Sequence, residues 1–215
     1  MTDGSEKLLV RTCLVLALTM SGIAVFNTSK GLWAGESRAA RARSFEPIRA
    51  FADSAPLVGE PKARRTVFLA TDYMCPYCRA MHDSLAAQMK ADPLSVNIRI
   101  LPFPLARLHP SAPKSAAFLV CASQRGVQAV ADSLLYRLGA AIDSTSTEAI
   151  AARVGLDSSA QWLSECVASR RVAEYLVRVG SIASAAGATA TPTMWINGRR
   201  FVGTTSISAL FAARP

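Results

Sequence analysis

The strongest constraint on the fold is a Cys-Pro-Tyr-Cys run at residues 75–78, which stands where a predicted strand gives way to a predicted helix. The run Thr66–Thr71 is rich in β-branched and apolar residues and is short enough for a buried strand. Apolar residues at helical spacing follow, and they predict a helix over about residues 75–90. Val96–Leu101 predicts a second strand. Together these elements form one βαβ unit, which is normally a right-handed parallel pair.

The rest of the chain shows helical patterns and then a second strand pair. A Pro-rich loop at Pro102–Pro113 precedes helical stretches at Ser115–Gln124, Val127–Leu138, Thr147–Val154, Ser159–Ser169 and Val172–Ala186. Thr193–Ile196 and Arg200–Val202 then flank Asn197-Gly198, which predicts a hairpin because both residues tolerate positive φ. Ser206–Arg214 predicts a last helix. We therefore predict an α/β fold in which helices over about residues 106–187 separate βαβ from ββα.

Composition excludes several classes of protein. Of the 215 residues, 51% are hydrophobic and 18% are charged, which allows a large core and excludes disorder of the whole chain. The net charge of +9 invites a nucleic-acid partner, but the basic residues are scattered and no basic stripe interleaves with aromatics. We expect no nucleic-acid binding. Attraction to anionic lipid beside a membrane anchor is favoured over a merely solvated basic surface.

Residues 1–28 predict a membrane segment. Thr12–Phe26 carries no charge and follows the basic residues Lys7 and Arg11. A spanning helix needs about 20 apolar residues, and the core of a signal peptide needs about 7 to 15. Because no clean small-x-small cleavage site follows the run, an uncleaved signal anchor is favoured over a cleaved signal peptide.

Two segments are expected after the apolar run. Residues 29–60 mix Gly, Ser, Ala, Arg and Pro and predict a tether with a short helix through Glu46–Ala52, and residues 61–215 predict the α/β domain. Basic residues are more numerous after the run than before it, and the positive-inside tendency alone would leave this domain in the cytoplasm. Long domains often translocate regardless of nearby charge, and the cysteine chemistry favours an oxidising compartment. We therefore expect an extracytoplasmic domain, periplasmic or at the cell surface.

The two motif cysteines have different expected roles. Cys75 would stand at a helix N-terminus, where unpaired N–H groups and the positive end of the helix dipole favour a thiolate. Pro76 suits the first helical position because it has no N–H to satisfy. Cys78 lies one helical turn later, so its sulfur can reach the Cys75 sulfur. The pair predicts a redox-active disulfide in which Cys75 is the nucleophile and Cys78 closes or resolves the disulfide.

Zinc binding is the main alternative for a CxxC pair. A structural zinc site would need two more ligands at matching spacing. The candidates are His82, His109, Cys121 and Cys166. None of them is arranged as a knuckle, so redox use is favoured and neither a metal nor a nucleotide cofactor is expected. A different class of function, a non-catalytic module that binds zinc or copper, stays open as an alternative.

A second element, Thr191-Pro192, stands just before the predicted hairpin. Proline leading into a strand often marks a cis peptide bond or a sheet edge. A cis Pro192 beside Cys75 would leave the Thr191 backbone free to pair with an extended peptide, as in β-augmentation. Two further residues, Asp72 and Tyr73, directly precede the cysteine motif and are expected on its rim.

The CPYC run after a strand, the helical insertion and the run Gly187–Gly198 together resemble the DsbA-like thioredoxin-fold thiol:disulfide oxidoreductases, in the branch with threonine before the cis-proline. The resemblance covers about Pro61 to Ala212. It implies a thioredoxin fold, disulfide exchange with extracytoplasmic proteins, Cys75 as nucleophile with Cys78 as its partner, and Thr191-Pro192 as the peptide platform.

The direction of electron flow stays open. Tyr77 occupies the position that is histidine in the best-known periplasmic oxidase of the family, and the residues between the cysteines tune thiolate stability. An oxidase would be recycled by a membrane redox partner. The alternative is a thiol reductase or isomerase that a membrane carrier keeps reduced.

Two further pairs of residues have expected roles outside the motif. The resemblance implies a structural disulfide between Cys121 and Cys166 that would hold the helical block together, and two buried free thiols are the alternative. His82 lies on the helical face of Cys78 and is favoured as a packing residue over a functional one. His109, before a proline, is favoured as a turn residue.

Overall fold

The computed structural model describes residues 45–157 and 161–212. Its strands are β1 (Leu57–Val58), β2 (Thr66–Thr71), β3 (Asn97–Pro102), β4 (Thr193–Ile196) and β5 (Arg199–Val202). They form one mixed sheet in the order β1-β3-β2-β4-β5. The pair β2 and β3 is parallel, and the other neighbours are antiparallel. This is the predicted α/β arrangement, with β2 at the centre of the sheet.

The helices account for most of the remaining described chain. They are α1 (residues 45–50), α2 (Pro76–Ala91), α3 (Ala112–Ser123), α4 (Gln128–Leu138), α5 (Thr147–Arg153), α6 (Gln161–Ala168), α7 (Arg170–Ala185) and α8 (Ile207–Phe211), with 3-10 turns at Ala52–Ser54 and Gly139–Asp143. Helices α3 to α7 lie between β3 and β4 in the chain, which confirms the helical insertion. Helix α3 begins before the predicted Ser115, because Pro113 fits in its first turn instead of ending the loop.

Both faces of the sheet are covered, and the four central residues of β2, Val67–Ala70, are all apolar. Val67 and Leu69 pack in a core with α2 and the insertion helices. Phe68 and Ala70 pack in a second core with α1 and α7. Alternate side chains of a strand point to opposite faces, so a strand covered on both sides reads as a continuous apolar run. The motif at the end of β2 is therefore held by a strand that is buried on both faces.

The hairpin between β4 and β5 turns at Asn197-Gly198, as the sequence predicted. Asn197 and Gly198 both have positive φ, at 50° and 74°. The paired residues on either side run from Ile196 opposite Arg199 to Thr193 opposite Val202. The hairpin keeps Thr193, the residue after Pro192, in the sheet next to β2.

The N-terminal edge of the domain lies earlier in the chain than the sequence predicted. Residues 45–58 belong to the predicted tether, yet Ile48 is fully buried and Phe51 nearly so, in the same core as Phe68. Leu57 and Val58 then pair with β3 as a short antiparallel strand. The domain therefore includes these residues, because α1 and the 3-10 turn cover the second face of the sheet.

No helix within residues 45–157 and 161–212 has the length and apolar character that a membrane crossing requires. The apolar run Thr12–Phe26 and the predicted tether as far as residue 44 lie outside the described residues. The predictions of a signal anchor and a tether concern that part of the chain.

A disulfide ties the insertion together. Cys121 in α3 is joined to Cys166 in α6, with their Cα atoms 6.1 Å apart, which is the pairing that the resemblance implied. The Arg125 guanidinium lies 4.3 Å from the centre of the Trp162 ring and links the same two parts of the chain. Closing a loop of 45 residues is worth about 4 kcal/mol of stability in the chain-entropy model.

Candidate active site

Cys75 is the N-cap residue of α2. The strand β2 ends at Thr71, and the chain turns so that the Cys75 N–H donates to the Asp72 carbonyl over 3.1 Å. Cys75 has extended backbone angles, and Pro76 occupies the first turn of the helix, as predicted. The Cys75 side chain makes no hydrogen bond with the N–H groups of the first helical turn. The residue is 6% exposed.

Cys78 lies in the first turn of α2 and is fully buried. Burial raises the pKa of its thiol to about 12, and the neighbouring Cys75 charge adds to the increase, whereas hydrogen bonds with the Asp72 backbone and the Thr71 side chain oppose it. Both cysteines are free thiols in this structure. At neutral pH Cys78, the inner cysteine of the motif, is therefore a protonated thiol.

The loop before β4 brings its backbone to Cys75. The Thr191–Pro192 peptide bond is cis. The Cys75 thiol donates to the Thr191 carbonyl oxygen over 3.6 Å, although 116 residues separate the two in sequence. The Pro192 carbonyl accepts from the Gly203 N–H over 2.8 Å, which ties the same loop to the end of β5. The structure thus places Cys75 directly against the loop of residues 191–192.

Asp72 is a buried carboxylate that organises the loop before the cysteines. Its Oδ1 accepts from the Met74 N–H over 2.8 Å. Its Oδ2 accepts from the Leu105 N–H over 2.8 Å and lies 2.9 Å from His109 Nδ1. The loop that carries the motif is therefore fastened to the loop after β3. His109 also accepts from the Ala112 N–H through its carbonyl, so it holds a turn as predicted and in addition contacts Asp72.

A second buried carboxylate, Asp132, reaches the motif from α4 in the insertion. The Tyr73 hydroxyl donates to Asp132 Oδ1 over 2.8 Å, and His82 Nε2 lies 3.2 Å from Asp132 Oδ2. His82 Nδ1 lies 3.1 Å from the exposed Asp83. Burial lowers the pKa of His82, but the hydrogen bonds and negative charges of Asp132 and Asp83 raise it by more, so it lies above its ordinary value.

Two tyrosines complete the buried polar cluster. Tyr136 and Thr71 share a hydrogen bond of 2.5 Å between their hydroxyl oxygens. The Tyr136 ring lies 4.4 Å from the His82 ring and 4.6 Å from the Tyr73 ring, centre to centre. Burial raises the pKa of both tyrosines well above the ordinary value, and the charge of Asp132 adds to it. Both phenols are therefore neutral hydrogen-bonding groups beneath the motif.

Most of the described chain matches a known protein family. The family model, described as Thioredoxin, covers residues 52–213. The chain belongs to this thioredoxin family. No curated protein sequence matches the chain with significance.

Several solved structures have the same thioredoxin-like fold. A periplasmic thioredoxin-like protein from Salmonella enterica serovar Typhimurium is 18% identical, with a TM-score of 0.59 over 74% of this chain and 87% of that chain. The thiol-disulfide exchange protein alpha-DsbA2 from Wolbachia pipientis is 14% identical, with a TM-score of 0.61, and the match covers 80% of this chain and 95% of that chain. ScsC from Proteus mirabilis, in a transitional conformation, is 18% identical, with a TM-score of 0.64, and the match covers 97% of this chain and 93% of that chain.

The thioredoxin-like fold brings together the residues that the sequence predicted from separate motifs. Cys75, Cys78, Thr191 and Pro192 meet at the N-terminal end of α2. Tyr77 is 65% exposed and stands beside them. The disulfide-bonded Cys121 and Cys166 belong to the insertion. Among residues 45–157 and 161–212, no three His, Cys, Asp or Glu side chains are grouped so that they could hold a metal ion.

The position expected for Asp72 and Tyr73 is wrong. Both are buried beneath the motif rather than on its rim, because Asp72 accepts two backbone N–H groups and Tyr73 donates to Asp132. Sequence reasoning missed Asp132 altogether. The signal that could have found it is a carboxylate on the apolar face of a predicted helix, between Ala131 and Leu134, where a lone charge is costly.

Proposed function

We propose that this protein is a DsbA-type thiol:disulfide oxidoreductase that forms or exchanges disulfides in extracytoplasmic proteins through Cys75 and Cys78. One observation carries the proposal: the Cys75 sulfur stands at the N-terminal end of α2, 3.6 Å from the Thr191 carbonyl oxygen beside cis Pro192. Both cysteines are buried, but Cys75 is the more accessible of the two, at 6% exposed against 0% for Cys78, and the loop supplies a backbone against which a polypeptide can lie.

In the oxidising direction the active protein carries a Cys75–Cys78 disulfide. A substrate thiolate attacks the Cys75 sulfur, the intramolecular disulfide breaks, and Cys78 leaves and takes up a proton, since its thiol has a pKa of about 12. A second substrate thiolate then attacks the substrate sulfur of the mixed disulfide and releases Cys75. The substrate loses two electrons and the protein gains them, and a membrane redox partner reoxidises the pair.

The peptide platform is the backbone at Thr191. A substrate segment that extends alongside Thr191 would present its cysteine to Cys75, in the manner of β-augmentation. The exposed Tyr77 ring, between the two cysteines, would then flank the bound segment. Recognition through main-chain hydrogen bonds suits an enzyme that acts on many different protein thiols.

The experiment that tests this function is a redox titration of the purified chain in glutathione buffers, followed by alkylation and mass analysis. We expect Cys75 and Cys78 to pass together between dithiol and disulfide with one midpoint. Cys121 and Cys166 should stay protected throughout, because Cys121 is fully buried in the insertion. The midpoint also decides between oxidase and reductase or isomerase, since about 30 mV corresponds to 1.4 kcal/mol for two electrons. A motif that never forms an intramolecular disulfide would contradict the proposal.

We further propose that the apolar run Thr12–Phe26 anchors the chain in a membrane with its catalytic domain on the extracytoplasmic side. The absence of charge in the run and of a clean cleavage site after it supports this, and a fold relative from Salmonella enterica is described as periplasmic. The full chain should therefore stay with membranes after carbonate extraction, and deletion of residues 1–28 should release it. Alkaline phosphatase fused after residue 44 should be active. Recovery of the full chain in the soluble fraction would contradict the anchor.

A further inference from the structure

Thr71, the last residue of β2, carries a buried hydroxyl beneath the cysteine motif. Alternate side chains of a strand share one face, so Thr71 faces the same side of the sheet as Val67 and Leu69. These two residues pack in the core that also contains Cys78. Because Thr71 is only 1% exposed, its hydroxyl must find its hydrogen-bond partners inside the protein.

The Thr71 hydroxyl joins the inner cysteine to the insertion. Tyr136, in α4, shares a hydrogen bond of 2.5 Å with it. Burial raises the pKa of the Cys78 thiol, and a hydrogen bond with the Thr71 side chain is one of the contacts that oppose this increase. Burial also raises the pKa of Tyr136 well above its ordinary value, and the charges of Asp132 and Cys78 add to that increase. A neutral phenol therefore stands behind the threonine that contacts the Cys78 sulfur.

The charge of the Cys78 sulfur decides how the hydrogens of this chain are arranged. A threonine hydroxyl has one proton to donate and two lone pairs that accept, and a phenol can also donate. A thiolate can only accept, so Thr71 must donate to a negatively charged Cys78 sulfur, and Tyr136 must then donate to Thr71 Oγ1. Hydrogen bonds to a charged acceptor are the stronger ones, and bonds in a chain polarise one another. Tyr136 thereby keeps the single Thr71 proton directed at the sulfur.

We propose that Thr71 is a catalytic residue that donates a hydrogen bond to the Cys78 sulfur whenever exchange places negative charge there, and that Tyr136 is a positioning residue that orients the Thr71 hydroxyl. The proposal rests on the proposed disulfide exchange and gives the helical insertion a part in one of its steps. It concerns the rate at which the inner sulfur leaves or attacks.

Negative charge reaches the Cys78 sulfur in both directions of exchange. In the oxidising direction a substrate thiolate forms a bond to the Cys75 sulfur, the Cys75–Cys78 bond breaks, and Cys78 leaves with the electron pair. It then takes up a proton from water. In the reverse direction the Cys78 thiol first loses its proton to water, its thiolate attacks the Cys75 sulfur of the mixed disulfide, and the substrate sulfur leaves with the electron pair. Thr71 and Tyr136 keep their own protons throughout.

The test is the reaction of the reduced protein with dithiobis(nitrobenzoate), followed by stopped-flow absorbance. Every protein carries Cys13→Ser, so that Cys75 and Cys78 are its unpaired cysteines. Cys75 forms the mixed disulfide in the first phase, and Cys78 attacks the Cys75 sulfur in the second. Thr71→Val removes the hydroxyl and should slow the second phase about tenfold from about pH 6 to about pH 9, which is the loss expected for one hydrogen bond to a charged group. It should leave the rate of the first phase unchanged.

Further variants separate the hydroxyl chain from packing. Thr71→Ser retains the hydroxyl and should keep both rates of the parent protein. Tyr136→Phe retains the ring and should slow the second phase about threefold, since Thr71 loses the donor that orients it. In the Thr71→Val background Tyr136→Phe should slow it no further, because the two residues act as one unit. Tyr175→Phe is the matched control: it removes a phenol that donates to the Ser54 carbonyl outside the motif, and it should leave both phases unchanged.

A role in packing alone would slow both phases in Thr71→Val, or would leave Thr71→Ser as slow as Thr71→Val, and either result overturns the proposal. A second phase in Thr71→Val as fast as in the parent protein overturns it as well. Should Thr71→Val not fold, Tyr136→Phe decides, and an unchanged second phase in that variant refutes the hydroxyl chain. A parent protein that releases no second thiolate refutes the proposed exchange function instead.

Discussion

Replacing Cys75 by serine is expected to abolish reduction of insulin by this protein, with a loss of roughly a thousandfold or more, because the nucleophile of a covalent mechanism is removed. Cys78 cannot take its place. It is fully buried, and its thiol, with a pKa of about 12, is protonated at neutral pH. The measurement is the rate at which the insulin B chain precipitates in the presence of glutathione or dithiothreitol.

The matched control for this variant is Cys13→Ser. It makes the same chemical change at a cysteine in the N-terminal apolar run, outside the α/β domain. It should retain wild-type activity. A Cys75→Ser protein that still reduces insulin at more than a few per cent of the wild-type rate would contradict the assignment of the nucleophile.

The Cys75→Ser variant also distinguishes an enzyme from a metal-binding module. A non-catalytic module would contain stoichiometric zinc or copper after purification without chelator, and Cys75→Ser would lose both the metal and the fold. The enzyme hypothesis predicts little metal in either protein and a Cys75→Ser chain that unfolds with the same cooperativity as wild type. Metal content by mass spectrometry and urea unfolding followed by circular dichroism decide between the two.

Local signals account for the parts of the fold and site that could be predicted from the sequence. The strand Thr66–Thr71 was predicted to the residue, because its apolar centre, buried on both faces, is bounded by β-branched threonines that also favour strands. Asn197-Gly198 specified its hairpin through backbone conformation alone. The grouping of Cys75 with Pro192 came instead from resemblance to a family, since no local pattern relates residues that are more than a hundred apart.

The parts that were missed depend on packing between distant segments. The strand Leu57–Val58 is too short to show a period, and only its pairing with β3 defines it. Asp132 contacts Tyr73 across 59 residues, and Asp72 contacts Leu105 across 33. Asp132 meets Tyr73 only after the insertion has folded against the motif, and Asp72 meets Leu105 only after the loop that follows β3 has packed there. A single sequence can show that a carboxylate stands on the apolar face of a helix, but it cannot show which distant residue that carboxylate contacts.

The inner cysteine provides the prediction with the steepest expected dependence on pH. Reduced protein mixed with dithiobis(nitrobenzoate) should release one coloured thiolate when Cys75 forms a mixed disulfide and a second when Cys78 attacks the Cys75 sulfur. That attack requires the Cys78 thiolate. For a thiol with a pKa of about 12, the thiolate fraction rises about tenfold per pH unit over the neutral range. The second rate constant should therefore rise about tenfold per unit from about pH 6 to about pH 9.

This dependence distinguishes a desolvated thiol from an ordinary one. A cysteine with a pKa near 8.5 would approach a plateau by about pH 9, whereas burial in the core moves the plateau of Cys78 beyond that range. Stopped-flow absorbance gives both phases in one record. In a Cys13→Ser background, which removes the remaining unpaired cysteine, Cys78→Ser should release a single thiolate and keep the mixed disulfide, which identifies the second phase. A second phase that levels off below about pH 9 would show that Cys78 gains solvent once Cys75 is modified, and the structure of the reduced form would then not describe the resolving step.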